Sequence, residues 1–209
     1  MNTAASIATS SATRWGDGRR ADGDFAREQI LDATWRCYQR SGVAKTTVEH
    51  VAREAKVSRT TVYRYFQNRD EVLTGVLVRE MAVLLEVLRG RIEGIENFGE
   101  YLVESMAGIA ELVPQSVVFR QMQAEENTVA ARLCISSDDA LAIAARFIEE
   151  RFLLACQRGE VREGIEFHAL LDWMVHILAA YMLTPSVLDG APGDLRKTLQ
   201  LFLLPAVVR

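Results

Sequence analysis

The chain is poor in everything that breaks a helix. Four prolines and thirteen glycines in 209 residues leave long uninterrupted segments, which favours helices over a turn-rich all-β fold. The three cysteines, Cys37, Cys134 and Cys156, are odd in number, far apart and in no C-x-x-C pair, so neither a disulfide framework nor a zinc site is expected. No apolar run reaches the roughly 18 residues that read as a membrane span; the stretch Trp173 to Leu183 is shorter and is interrupted by His176. The first 13 residues have no charge and no continuous apolar core, and no secretory signal is read there. A cytoplasmic, reducing location is the resulting expectation. A Gly-rich phosphate loop, a G-x-S-x-G elbow and metal-spaced ligands are also missing, which leaves no residues to cast in catalytic roles. No enzyme activity, metal or cofactor is expected.

What is present is unevenly distributed. The net charge is −4, yet residues 1–70 hold 12 Lys+Arg against 8 Asp+Glu, while the remainder is net acidic by eight. Such a split suggests two bodies with different partners, one facing an anion. Residues 1–23 are small and polar and read as a disordered tail; 24–70 and 71–209 read as two helical units.

The expected fold is all-α, with about nine helices and no convincing period-two strand. The first helix runs from about Asp24 to Ser41, lined by Ile30, Ala33, Thr34 and Cys37, with Gly42 as its C′ residue. Thr46-Thr47-Val48-Glu49 fits a capping box opening a short second helix with a Val48, Val51, Ala52, Ala55 stripe. Ser58 is the next N-cap, and a third short helix reaches Phe66, with Val57, Val62 and Phe66 inward and Arg59, Thr60, Tyr63, Arg64 and Gln67 outward. Asn68-Arg69-Asp70-Glu71 caps a long fourth helix to about Leu88, whose apolar face only Glu80 breaks. Further helices are expected over 97–113, from Pro114 to about 126, over 138–157 after Ser136-Ser137, over 166–184, and from about Pro192 to Leu204.

Two short capped helices joined by a tight turn and packed on a first helix make a helix-turn-helix. The outward face of the third helix offers two arginines, a tyrosine and a threonine, residue types that contact phosphates and base edges. Lys45, Thr46 and Thr47 at the amino end of the second helix, and Arg69 at that of the fourth, suit phosphates. The stretch Thr46–Phe66, TTVEHVAREAKVSRTTVYRYF, followed by Arg69-Asp70-Glu71-Val72-Leu73, resembles the TetR family of bacterial transcriptional regulators; the match covers Phe25 to Leu77.

That resemblance implies a homodimer with small DNA-binding heads and larger helical ligand-binding bodies, in which a small hydrophobic ligand releases a repressor from a near-palindromic operator in double-stranded DNA. By position, Arg59, Thr60 and Arg64 are the expected base readers, Tyr63 and Tyr65 the phosphate-contacting aromatics, and Thr46, Thr47 and Arg69 backbone clamps; Lys45 and Ser58 join the same face. Lys56 stands where the family often has glycine, and a side chain at positive φ there costs about 1 kcal/mol. Thr60 stands where the family often has a smaller residue. The arginines also fit plain solvated charge, and the tyrosines plain packing. Arg14, Arg19 and Arg20 fit either a minor-groove arm or a disordered tail.

In the body, Met106, Phe119, Met122, Phe147, Phe152, Trp173 and His176 are candidates for lining a ligand cavity, though their spacing equally fits ordinary core. His176 reads as a hydrogen-bonded core histidine. Leu171, Met174, Leu178 and Tyr181, with Leu195, Leu199, Phe202 and Leu203, form two stripes expected at a two-fold dimer interface, where the family places a four-helix bundle. The same stripes also fit packing inside one subunit. An activator, or a regulator answering to a protein partner, is the alternative with the same head.

Overall fold

The computed structural model describes residues 17–124, 137–183 and 192–209. These form α1 (Asp17–Ser41), α2 (Val48–Glu54), α3 (Arg59–Tyr65), α4 (Arg69–Ile92), α5 (Phe98–Leu112), a 3-10 turn (Val113–Gln115), α6 (Val117–Ala124), α7 (Asp138–Gln157), α8 (Phe167–Leu183), α9 (Pro192–Phe202) and the single turn α10 (Leu204–Val207). The fold is all-α; among the described residues the one β-type pairing is an isolated bridge, Val161 to Val208. None of the described helices is long and apolar enough to cross a membrane.

The first three helices pack their stripes on the start of α4. Ile30, Leu31 and Tyr38 of α1, Val48, Val51 and Ala52 of α2, Val62 of α3, and Val72, Leu73, Val76 and Leu77 of α4 share one buried cluster with Phe66. Gly42, at φ 84°, ends α1 by donating its N–H to the Tyr38 carbonyl at 2.9 Å, a left-handed C′ position. Helix α1 begins at Asp17, seven residues before the expected start near Asp24. Residues 17–23, read from their small and polar composition as part of a disordered tail, are helical, and an isolated glycine such as Gly18 or Gly23 costs only about 1 kcal/mol in a helix.

The second core gathers around α5, which packs against α4, α7, α8 and α9. Leu102 and Met106 are among its most enclosed residues. Phe98 meets Phe152 edge-on with centroids 6.0 Å apart, and Phe152 lies 5.3 Å from Phe167. Tyr101 stacks on Phe147 and donates its hydroxyl to the Phe147 carbonyl at 3.0 Å. Helix α9 is tied to α5 by Arg196, which forks onto both carboxylate oxygens of Glu104, at 2.8 and 2.9 Å, and reaches Glu111 at 2.6 Å.

Helix α4 belongs to both cores: Val72 to Leu77 to the first, Leu85, Leu88 and Ile92 to the second. The boundary expected at residue 70 therefore falls inside a helix, and Val113, Val118 and Phe119 complete the first core from the other side. Glu80, the one charge on the apolar face of α4, accepts the Ser116 hydroxyl at 2.8 Å, which explains how a carboxylate is tolerated there.

Candidate nucleic-acid interface

Helices of seven residues are too short to hold themselves, so α2 and α3 depend on their caps and neighbours. Thr47 caps α2, its hydroxyl accepting the His50 N–H at 3.3 Å while His50 Nδ1 accepts the Thr47 N–H at 3.4 Å. The capping box thus lies one residue beyond the expected Thr46–Glu49 pair. Thr46 is buried instead, with its hydroxyl donated to the Gly42 carbonyl at 2.7 Å, closing the turn after α1. Ser58 caps α3, accepting the Thr61 N–H at 3.0 Å, and Asn68 caps α4 through the Glu71 N–H at 2.8 Å, both as the sequence suggests.

Lys56, at φ 56°, makes the turn between α2 and α3 in the left-handed conformation, the strain that a non-glycine residue brings to this position. Val62 turns inward, and the opposite face of α3 leaves Arg59, Thr60, Tyr63 and Arg64 exposed beside Ser58 and Lys56. Tyr65 is half-buried against the head core, and the Arg64 guanidinium lies 5.1 Å over its ring. Thr47 and Lys45 are exposed at the amino end of α2. An acid stands among these groups: Glu49 of α2 pairs with Arg59 Nη1 at 2.7 Å. Its own backbone N–H, the Thr47 hydroxyl and Arg59 hold that carboxyl below the usual carboxylate range. No local periodicity links two residues in different helices, so sequence reading missed this pair.

Two expected clamps are turned to structural work. Besides Thr46, Arg69 points back into the head, donating to the carbonyls of Val43, Ala44 and Thr46, the last at 3.1 Å. A guanidinium fork thus gathers three carbonyls of the turn after α1 and ties the start of α4 to it. On the far side of the head, Glu54 of α2 takes Arg36 at 2.9 Å and Arg40 at 3.2 Å from α1, and those hydrogen bonds lower its carboxyl. Cys37 lies in the same joint, its thiol pushed up by burial. Cys134, Arg14 and the side chains of Arg19 and Arg20 lie outside the described residues.

The body candidates separate. Met106, Phe147 and Phe152 meet in the second core, whereas Phe119 packs into the first. The Met122 side chain lies outside the described residues. Trp173 is 41% exposed, and His176 is also at the surface, its Nδ1 2.8 Å from the Asp172 carbonyl oxygen, so the core histidine expected there is not one. The expected interface stripes are largely internal: Leu171, Met174, Leu195, Leu199 and Leu203 are buried within the subunit, and Leu178 and Tyr181 pack partly on the same core. Among the described residues of α8 and α9, the exposed large apolar side chains are Trp173, Ile177, Leu201 and Phe202. Helix α8 is apolar nearly all round, so periodicity does not say which side turns inward.

Comparison with known proteins agrees with this geometry. Residues 30–76 match the model of bacterial regulatory proteins of the tetR family. The uncharacterized HTH-type transcriptional regulator TtgW of Pseudomonas putida is 32% identical over 103 residues, 49% of this chain and 75% of the relative. Matches to other curated HTH-type regulators span only 35% and 43% of those proteins' lengths. In fold, the chain is similar to the TetR-family repressor QsdR of R. erythropolis, with TM-score 0.70 and 22% identity over 89% of this chain and 97% of that one. It is also similar to Thermus thermophilus FadR in complex with lauroyl-CoA, with TM-score 0.66 and 22% identity over 88% and 96%. A helix-turn-helix head on an all-helical body, with these relatives, places the chain in the TetR family of bacterial transcriptional regulators.

Proposed function

We propose that this chain is a homodimeric repressor that binds a near-palindromic operator through its heads and leaves it when a small hydrophobic ligand enters the body. The observation that carries the reading is the α3 face: Arg59, Thr60, Tyr63 and Arg64 stand exposed on a head whose other face is packed. Arginine offers a bidentate fork to guanine O6 and N7, and threonine and tyrosine hydroxyls suit bases or phosphates. Lys45, Thr47, Lys56 and Ser58 border that face, and their contacts would be to the backbone. Thr46 and Arg69 act by holding the turn that presents α2.

Dimerisation is assigned to the exposed apolar side chains Trp173, Ile177, Leu201 and Phe202 in place of the buried stripes. Two heads so paired reach successive major grooves, about 34–36 Å apart. The ligand belongs to the body, near Met106, Phe147 and Phe152. FadR of Thermus thermophilus was solved with lauroyl-CoA, which makes an acyl-CoA the first probe to try.

The test is a mobility shift of the full chain on duplexes spanning its own promoter region, at two salt concentrations, with and without lauroyl-CoA. A specific complex that weakens steeply with salt supports the reading, because phosphate contacts release counterions. A Trp173→Glu, Phe202→Glu variant should be monomeric by sedimentation and lose the specific complex. No sequence-specific complex under any of these conditions would refute the proposal.

A further inference from the structure

A carboxylate stands where a surface built only for phosphate would exclude one. Glu49, exposed at the start of α2, holds Arg59 Nη1 at 2.7 Å, and Arg59 is the first residue of α3. Exposed ion pairs of this kind add little to fold stability, so the head does not need it to fold. Its negative charge opposes the approach of phosphates to a head whose exposed basic residues include Lys45, Lys56 and Arg64. The amino-terminal end of a recognition helix is the part that meets base edges. A guanidinium has five N–H donors in a fixed fork, and a contact through Nη1 leaves the other donors for a base.

We propose that Glu49 is a positioning residue for sequence readout: paired with Arg59 Nη1, it fixes the guanidinium for a bidentate contact to a guanine edge. An unsupported arginine must be ordered from many rotamers when it docks; one already held by a carboxylate has lost that freedom beforehand. The same charge lowers affinity for any duplex that does not offer Arg59 its base. Glu49 therefore raises discrimination from both sides. The inference rests on the DNA-binding reading above.

The experiment uses the full chain as wild type, Glu49→Gln, Arg59→Ala and the double variant. Each is incubated with a pool of randomised DNA duplexes, and the bound fraction is sequenced. Affinities are then measured on the enriched duplex, on its single-base variants and on unrelated duplex. Arg59→Ala should lose preference at one base pair per half-site. Glu49→Gln should lose about two- to tenfold of the preference at that same base pair, the size of ordering one long side chain, while binding unrelated duplex more tightly. The double variant should be no less selective than Arg59→Ala alone. Retention of the wild-type preference in Glu49→Gln, or an equal loss at every position, would overturn the role of Glu49. If the wild type enriches no motif at all, the DNA-binding reading fails first, and this inference falls with it.

Discussion

In the head, Thr47, Ser58 and Asn68 each start a helix on a side-chain oxygen, and Arg36, Arg40 and Arg69 tie the turns and helices across. In the body, α5 is enclosed on several sides by apolar side chains and rings, with the Arg196 fork as its main polar tie. Short helices bury too little surface to fix their orientation by packing alone, so caps and ion pairs add to it. Long helices can, and there shape complementarity decides. Orientation matters most where side chains must meet a rigid partner.

The contrast can be broken most forcefully in the body. Leu102→Ala removes a fully enclosed side chain and should cost about 2–5 kcal/mol, read from the urea midpoint. Because α4 threads both cores, a single transition should shift; two separate transitions would show that the cores unfold independently. Next comes Arg69→Met, which removes the guanidinium that gathers the carbonyls of Val43, Ala44 and Thr46 and should cost about 1–3 kcal/mol. Its denaturation midpoint should fall along with its DNA affinity; an unchanged midpoint with weaker binding would return Arg69 to the phosphate contacts.

The smallest effect concerns Glu54. Arg36 and Arg40 hold its folded carboxyl below the ordinary value, so its pairing contributes fully above the unfolded value of about 4.3. That contribution is lost as pH falls through the lower folded value. The midpoint of Glu54→Gln should therefore respond less to acid than that of the wild type; identical acid profiles would rule the joint out as a contributor.

The same contrast explains what the sequence makes legible. Caps at Ser58, Asn68, Asn97 and Ser137 stand in the structure where local chemistry suggests, because a cap is decided within about four residues. Adjacent threonines defeat that logic at Thr46 and Thr47, since both fit the cap and only the turn after α1 decides between them. The exposed set on α3 is likewise local, fixed by Val62 pointing inward. Arg69 and Glu49 take partners in other elements, 26 and 10 residues away, which no periodicity encodes. Helix α8 has apolar residues on every side, so its inward face follows from its neighbours alone.

Helix α4 has a mechanical consequence. Its 24 residues make a rod of roughly 36 Å, with one end cast into each core. A rod so anchored converts angle into distance: a tilt of about 5° at the body end displaces the other end by about 3 Å, close to the rise between stacked base pairs. A displacement of that size would be enough to take the α3 face out of register with a groove.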